Sequence, residues 1–363
     1  MRKSLALLGL MIALAGYAYG ADGQVCMEQT WKGTIGTVPV MMEFNVSDPA
    51  EEDSTLAGRY YYRTSLVDLI LVKDDTKPDR WKELDPKGKV SGYLTLTCKE
   101  NVLSGTWSSQ DGSKTLPISA VSQPSESYSD CRLDSLKTTS TRASIGTFHY
   151  ELLTVQGFNF GEGLRLIGNS KAVADINREL MEKFRYRLKE GIDCIATGRM
   201  HRGEDHGYEY EYDMSIIAWN KAFVVVGESL SANCGGMQPE VWSGGTTYNL
   251  KTGKPEEVSQ WLIDKYRKVI PKDSAIGKFI FDLYRQEDVR IFSTLGASDS
   301  NVCLAAIEFS GDGIWPTPTG IAFRPTAPYN REACIVDIII PFNKLSPYLS
   351  PQGKENVKAF PSR

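Results

Sequence analysis

Residues 25–121 contain a succession of short β-type segments, and this pattern limits the possible folds more than any other feature of the chain. The segment TWKGTIGTVPVMMEFNV alternates and is rich in β-branched residues, and VDLILVK, KVSGYLTLTCKE and VLSGTWSS follow at short intervals. Aspartate, glycine, lysine and proline turns separate these segments. Short strands at this spacing are typical of β-sandwiches and β-barrels. The sequence therefore predicts an all-β module, a sandwich or a barrel, in residues 21–121.

The composition changes abruptly after this module. Residues 122–146, SQPSESYSDCRLDSLKTTSTRASIG, are dominated by serine and threonine and have no apolar periodicity. We interpret this segment as a linker, because polar, low-complexity stretches between patterned regions usually are linkers.

The remaining pattern mixes strands with helices. An apolar stripe at helical spacing predicts a helix that Ser170 caps and Gly191 ends; its members are Val173, Ile176, Leu180, Phe184 and Leu188. The segments PEEVSQWLIDKYRKVI and AIGKFIFDLYRQ predict two more helices, and VCLAAIEFS, GIAFRP and ACIVDIIIPF predict closing strands. Consecutive strands with helices between the groups favour an α+β domain with a largely antiparallel sheet in residues 147–350. Residues 351–363 are predicted to be a tail.

The first 20 residues, MRKSLALLGLMIALAGYAYG, have the parts of a secretory signal peptide. Arg2 and Lys3 form its positive end, residues 5–15 its apolar part, and Ala-Tyr-Gly at residues 18–20 its cleavage site. The apolar run is too short for a membrane helix, which needs about 20 residues. We therefore expect a periplasmic or secreted protein with no membrane span after cleavage; an uncleaved N-terminal anchor is the alternative.

The charge of the chain argues against two classes of partner. The formal net charge is −4, and it becomes −6 when Arg2 and Lys3 leave with the signal peptide. A mildly acidic exported protein is poorly suited to bind nucleic acid or anionic lipid. If a macromolecule binds, electrostatics favours a basic one.

Seven cysteines lie beyond the signal peptide, and none is in a CxxC spacing. Isolated cysteines in an exported protein usually form disulfides. The predicted positions of the strand ends suggest three pairs: Cys26–Cys98, Cys194–Cys234 and Cys303–Cys334. Cys131, in the predicted linker, is then the cysteine left over.

No residue pattern predicts a catalytic or metal site. His201, Glu204, Asp205 and His206 lie close together and contain zinc-ligand types, but the segment lacks helical spacing and favours a solvated turn. No GxSxG elbow accompanies any of the histidines. We therefore predict no cofactor and no metal.

An acidic strip is the first candidate for partner binding. Tyrosines at residues 208, 210 and 212 alternate with Glu209, Glu211 and Asp213. On a strand the tyrosines share one face and the carboxylates the other. The tyrosines are expected to pack inward, and the acids either face water or meet a basic partner.

A second candidate is the loop NCGGMQPEVW and the TTYNLKTGKP that follows it. Consecutive glycines at 235 and 236, with Pro239 and Gly253, allow tight reversals of the chain. We interpret these four residues as fold-specifying. A phosphate cradle is the alternative, but the P-loop spacing is absent.

These motifs resemble the RsiV-like domains, which are found in lysozyme-sensing anti-sigma factors and beside some peptidoglycan deacetylases. The matching residues, in the order of the chain, are Gly235, Gly236, Pro239, Asn249, Leu250, Thr252, Gly253 and Lys254. The AVADINREL helix and the closing IIIPFNKLSPYL add to the similarity, which covers about residues 147–350. The Ala-His pair of the family is replaced here by Met237-Gln238, so no role of that histidine carries over.

The resemblance implies an exported binding protein of the cell envelope. Its ligand would be a cell-wall fragment or a lysozyme-like protein that attacks the wall, in a sensor, inhibitor or immunity role. An envelope hydrolase with an unrecognised active site is the alternative, and a purely structural envelope role is a third. The sequence predicts no particular oligomeric state.

Overall fold

The computed structural model describes eight stretches of the chain: residues 29–44, 57–77, 79–156, 161–202, 209–234, 239–295, 301–328 and 334–360. The chain divides into two compact units, residues 1–131 and 132–363. The predicted signal peptide and Cys26 lie outside the described residues.

The first unit contains a closed antiparallel barrel of eight strands. Their bounds are β1 (Thr30–Ile35), β2 (Val38–Phe44), β3 (Ala57–Tyr62), β4 (Asp68–Lys73), β5 (Arg80–Leu84), β6 (Val90–Lys99), β7 (Val102–Ser109) and β8 (Thr115–Ser122). Each strand pairs with the next, and β1 also pairs with β8, which closes the barrel. The all-β module is therefore confirmed, as a barrel.

Inward-facing apolar residues of alternating strand positions fill the barrel. Trp31, Tyr60 and Leu94 are completely buried there. Gly105 is required by close strand contact, because a Cβ at this position would lie 2.0 Å from the carbonyl oxygen of Thr95. The barrel core is thus built from the alternation that the sequence showed.

One carboxylate lies within this core. Glu83 is 4% exposed and accepts hydrogen bonds from Ser91 Oγ (2.6 Å), from Trp107 Nε1 (2.6 Å) and from the Tyr60 hydroxyl. Burial raises the pKa of Tyr60, and Glu83 raises it further, so the hydroxyl stays protonated and donates. Three donors therefore satisfy a side chain that would otherwise be costly to bury.

The segment that its composition marked as a linker contains regular structure. Helix α1 (Tyr128–Ser135) is followed by strand β9 (Thr138–Ile145). The Tyr128 hydroxyl donates to Asp68 Oδ1 of the barrel (2.7 Å), and the Cys131 thiol lies 3.2 Å from Glu126 Oε2. Strand β9 is an edge strand with largely exposed side chains. Serine and threonine suit it because the strand has no face that must be apolar.

The second unit is an α+β domain with antiparallel sheets, as predicted. Strands β10 (Phe148–Val155) and β11 (Gly163–Leu166) complete a three-stranded sheet with β9. A four-stranded sheet follows, formed by β12 (Glu209–Trp219), β13 (Phe223–Asn233), β14 (Glu240–Asn249) and β15 (Lys254–Pro255). A third sheet contains β16 (Glu308–Pro316), β17 (Gly320–Thr326) and β18 (Ile338–Pro341).

Two apolar cores cover the two faces of the four-stranded sheet. The long helix α2 (Lys171–Arg202) packs its apolar stripe, with Ile176 and Leu180, against one face. The other face packs against β16–β18 and the helix α3 (Ala275–Leu295). No helix in the described part of the chain is long and apolar enough to span a bilayer.

Helix α2 begins as predicted but does not end at Gly191. The Ser170 hydroxyl accepts a hydrogen bond from the Val173 backbone N–H at 3.1 Å, which is an N-cap. Gly191 lies within the helix against Tyr210, whose ring would be 2.8 Å from an added Cβ. The glycine therefore permits close packing of helix on sheet and does not terminate the helix.

Two other predictions of element type are wrong. The segment 255–270 forms two 3₁₀ turns, Val258–Trp261 and Asp264–Tyr266, and no continuous α-helix. The predicted strand VCLAAIEFS begins instead as the short helix α4 (Asn301–Ala306). In both segments tertiary burial overrides local preference, since Trp261, Tyr266 and Cys303 all enter one core.

The C-terminal end belongs to the domain. The short helix α5 (Phe342–Leu345) precedes α6 (Pro351–Val357), which lies in the predicted tail. Phe360 is buried and stacks on Phe223, with ring centroids 6.2 Å apart. Apolar packing therefore holds the final helix against the sheet.

Candidate ligand-binding groove

A groove of about 890 Å³ lies beside β14 in the second unit. Strand β14 pairs with β13 along one side, whereas on its other side only Tyr248 and Asn249 pair with β15 among the described residues. Helix α2 forms one wall of the groove, and β16 and β17 form the other. The principal side chains are Glu182, Lys183, Tyr186, Arg187, Glu228, Trp242, Trp315 and Arg324.

The floor of the groove is a charged pair with fixed partners. Lys183 Nζ donates to Glu228 Oε1 at 2.8 Å and to Thr246 Oγ1 at 3.4 Å. The Tyr212 hydroxyl donates to Glu228 Oε2 at 2.7 Å. Burial raises the pKa of Tyr212, and Glu228 raises it further, so this donor keeps its proton. The pair therefore presents an acceptor and a donor side by side.

The α2 wall carries stacked aromatic and cationic groups. The guanidinium of Arg187 lies 4.8 Å from the centre of the Trp242 ring, within range of a cation–π interaction. The carboxylate of Glu190 also contacts this guanidinium, with Oε2 2.5 Å from Arg187 Nη1. Trp242 is half-buried, and Tyr186 is 59% exposed beside it. The Trp242 ring is thus oriented before any ligand arrives.

The opposite wall closes tightly on β14. Arg324 bonds Asp337 through two nitrogens, at 2.7 and 2.9 Å, and its guanidinium lies 5.1 Å from the centre of the Trp315 ring. A Cβ on Gly245 would lie 2.5 Å from Cγ of Trp315. Gly245 is therefore required for this wall to approach the strand.

Gly244 has a different environment from its neighbour. It pairs with Glu228 across the β13–β14 ladder, and it lines the groove. A Cβ added there would meet no heavy atom within 4 Å, and its φ is outside the left-handed region. Neither sterics nor backbone conformation in the described structure requires glycine here.

The acidic strip lies elsewhere on the sheet. Tyr210 and Tyr212 are buried, while Glu209 and Glu211 are exposed. Asp213 is half-buried and its Oδ1 accepts the backbone N–H of Glu162 at 3.0 Å. Two of the three acids are thus placed where a partner can reach them, and the third supports the local backbone.

The strip leads to a testable expectation. Replacing Glu209 and Glu211 together with lysine is expected to weaken any complex with lysozyme, because the reversal repels a basic partner. The effect should shrink as salt is raised, and surface plasmon resonance at several salt concentrations measures it. Reversing Asp273 and Glu308 changes the net charge equally at other exposed positions and should have little effect; equal losses in both variants would exclude the strip.

The glycine loop is described only in part. Gly235 and Gly236 lie outside the described residues, and Pro239 is exposed just before β14. Gly253 has φ +72°, and a Cβ there would lie 2.9 Å from Cα of Ala172. Gly253 is thus required by a turn, but the turn leads into β15 and the 3₁₀ segment, where the sequence predicted a helix.

Two of the predicted disulfides are present. Cys194 in α2 bonds Cys234 at the end of β13, and Cys303 in α4 bonds Cys334. Cys98 is disulfide-bonded, whereas its predicted partner Cys26 is outside the described residues. The first bond joins α2 to the chain directly after β13.

The histidine segment is also largely outside the described residues. Residues 203–208 are not described, and His149 lies in β10. Among the residues that the structure describes, no three histidine, cysteine or acidic side chains cluster as metal ligands do.

Sequence reasoning did not identify the groove. One signal was available in the second glycine pair of the stretch 233–255, Gly244-Gly245, which lies inside a strand between Trp242 and Thr246. Glycine inside a strand often marks close approach of a ligand or another backbone. The partners of this pair on α2 and β13 had no local signature.

Comparison with known proteins gives only distant similarity. No family model matches the chain, and no curated protein matches it. Two solved structures of the DUF3298 family align with it. The protein from Bacteroides fragilis is 12% identical, with 61% of this chain and 96% of that chain covered and a TM-score of 0.35. The protein from Pseudomonas aeruginosa is 13% identical, with 63% and 98% covered and a TM-score of 0.35.

These neighbours belong to a domain family of unknown function. They assign no ligand, so the role of the groove rests on its own geometry.

Proposed function

We propose that this protein is an exported binding protein that holds a glycan fragment of the bacterial cell wall in the groove beside β14. The observation that carries the proposal is that the half-buried ring of Trp242 and the Glu228–Lys183 pair line the same groove. The C–H face of a sugar ring is apolar and packs against an indole ring, while its polar substituents need both donors and acceptors. Such a combination of aromatic wall and few polar groups is typical of small-ligand sites.

The dimensions and the preformed state of the groove support the same function. Its volume of about 890 Å³ lies within the range of ligand pockets, roughly 300–1,000 Å³. Trp242 is held by Arg187, and Glu228 is held by Tyr212 and Lys183. A ligand therefore finds the groups in place, which reduces the entropic cost of binding.

The predicted export and the disulfides are compatible with a site outside the cytoplasm. Disulfides persist in oxidising compartments, and two are present in the second unit. The resemblance to RsiV-like domains supports an envelope role in sensing or inhibition.

The first experiment is calorimetric titration of the oxidised protein with soluble peptidoglycan fragments. Trp242→Ala is expected to weaken binding about 10-fold or more, because it removes the stacking face and the support of Arg187. The matched control is Val241→Ala, which truncates an exposed apolar residue on the other face of the same strand. Loss of affinity in the control as well, or none in Trp242→Ala, would remove the groove as the binding site.

The same samples test the alternative of an envelope hydrolase. Glu182 and Glu228 both line the groove, and paired carboxylates can cleave glycosidic bonds. Glu228 is engaged by Lys183 and Tyr212, which favours binding over catalysis. Mass spectrometry of the fragments after incubation should show them intact, and cleaved products would favour the hydrolase.

A second candidate function is recognition of a lysozyme-like protein through the acidic strip. The exposure of Glu209 and Glu211 on β12 favours it, and their reversal, described above, is its test.

A further inference from the structure

We infer that the floor of the groove is a subsite for an acetamido group, so that the glycan is recognised through a 2-acetamido sugar. This inference rests on the proposed glycan-binding function. Its elements are the Glu228–Lys183 pair, the gap above Gly244 and the ring of Trp242.

The gap gives the ligand access to the pair. Gly244 is the cross-strand partner of Glu228, and both positions face α2. Nothing lies within 4 Å of a Cβ at this position, so there is open space over Gly244, and Gly244 and Glu228 both line the groove. Glycine inside a strand lowers stability and is often found where a ligand approaches closely.

The neighbouring glycine shows that this space is not a consequence of packing. Gly245 is required by the Trp315 ring, which would lie 2.5 Å from its Cβ. Gly244 faces the opposite side of the strand and meets no such neighbour. The packing of the described residues does not require glycine at position 244, so we attribute the absence of a side chain there to the groove.

The polar pair matches the two ends of an amide. An acetamido group has an N–H that needs an acceptor and a carbonyl that needs a donor. A carboxylate has about four lone-pair positions and an ammonium three protons, and Lys183 donates to Glu228 and Thr246. Glu179 Oε1 lies 3.9 Å from Lys183 Nζ, in ion-pair range but too far for a hydrogen bond, so a ligand carbonyl could accept the third ammonium proton.

The pair also selects against charged substituents. Glu228 and Lys183 lie 2.8 Å apart, so a charged ligand group placed between them meets one like charge. The opposite charge of the pair offsets this repulsion, so a charged group gains little net attraction for the hydration that it loses on binding. A neutral amide has a smaller desolvation cost, and its methyl group can pack on Trp242.

The test uses three tetramers with the same β-1,4 linkage: N-acetylglucosamine, glucosamine and glucose. The unmodified protein should bind the acetylated tetramer about 10-fold or more tightly than the other two, because only an acetamido group offers both an N–H to Glu228 and a carbonyl to Lys183. Gly244→Leu should weaken binding of the acetylated tetramer about 100-fold while the melting temperature stays unchanged or rises. Val241→Leu adds bulk to the opposite face of the strand and should bind normally.

Each outcome separates this inference from the proposed function. Equal affinity for the three tetramers, or normal binding by Gly244→Leu, overturns the acetamido subsite and leaves a glycan groove. No binding of these tetramers or of peptidoglycan fragments by the unmodified protein overturns both. If Gly244→Leu does not fold, the affinities of the unmodified protein for the three tetramers still test the acetamido subsite.

Discussion

Replacing Cys303 and Cys334 together with alanine is expected to lower the free energy of unfolding of the second unit by about 3–5 kcal/mol. The bond joins residues 31 positions apart, and its loss frees the unfolded chain from a constraint that is worth roughly 2–4 kcal/mol. Both cysteines are also almost completely buried in the core behind the sheet, so truncation adds a packing cost. Urea denaturation followed by tryptophan fluorescence measures the change.

The matched control is the double alanine variant of Cys194 and Cys234. That bond has a similar separation of 40 positions, so the chain-entropy contribution is comparable. Cys194 is buried but Cys234 is exposed, so less packing is lost than with the two buried cysteines 303 and 334. A smaller loss of stability is therefore expected, about 2–4 kcal/mol. If the two variants lose the same free energy of unfolding, the more complete burial of Cys303 and Cys334 makes no additional contribution to stability.

Glu83→Ala is expected to destabilise the barrel by about 3–5 kcal/mol. The substitution removes the acceptor of the Tyr60 hydroxyl, of Trp107 Nε1 and of Ser91. A buried donor left without a partner costs roughly 1–3 kcal/mol; the Tyr60 side chain is fully buried, and Ser91 and Trp107 are half-buried. Burial raises the pKa of Tyr60, so this hydroxyl cannot avoid the cost by losing its proton near neutral pH. Thermal unfolding followed by circular dichroism detects the loss.

Glu83→Gln is the control for the shape of the side chain. It keeps the volume and one carbonyl oxygen, so that only part of the acceptor capacity is lost. The free energy of unfolding is expected to fall by about 1–2 kcal/mol, because the hydrogen bonds to this side chain are weakened but not all lost. If Glu83→Ala is as stable as the unmodified protein, the three donors find other acceptors. The buried carboxylate is then not needed for the stability of the barrel.

Local periodicity was sufficient wherever one face of an element is buried. The tyrosines of β12 are inside and Glu209 and Glu211 outside because successive side chains of a strand point to opposite faces. The apolar stripe of α2 is buried for the corresponding reason at helical spacing. The cysteine pairs Cys194–Cys234 and Cys303–Cys334 followed from the predicted ends of these elements.

Contacts between distant segments decided the features that were predicted wrongly. Gly191 has the residue type that ends helices, yet it lies within α2 because the Tyr210 ring needs the space. The segment 255–270 has helix-like spacing but breaks into 3₁₀ turns, with Trp261 and Tyr266 buried in one core. Serine and threonine in β9 suit an exposed edge strand as well as they suit a linker.

The sequence by itself determined a barrel-or-sandwich module followed by an α+β domain, together with the faces of its main elements, since these depend on patterns within about ten residues. Closure of the barrel depends on pairing of β1 with β8, for example Trp31 with Ser122, which no local pattern encodes. The groove likewise exists only because Lys183 of α2, Glu228 of β13 and Gly244 of β14 meet in space. Each has an ordinary local environment, and only the packing of helix on sheet turns the three into one site.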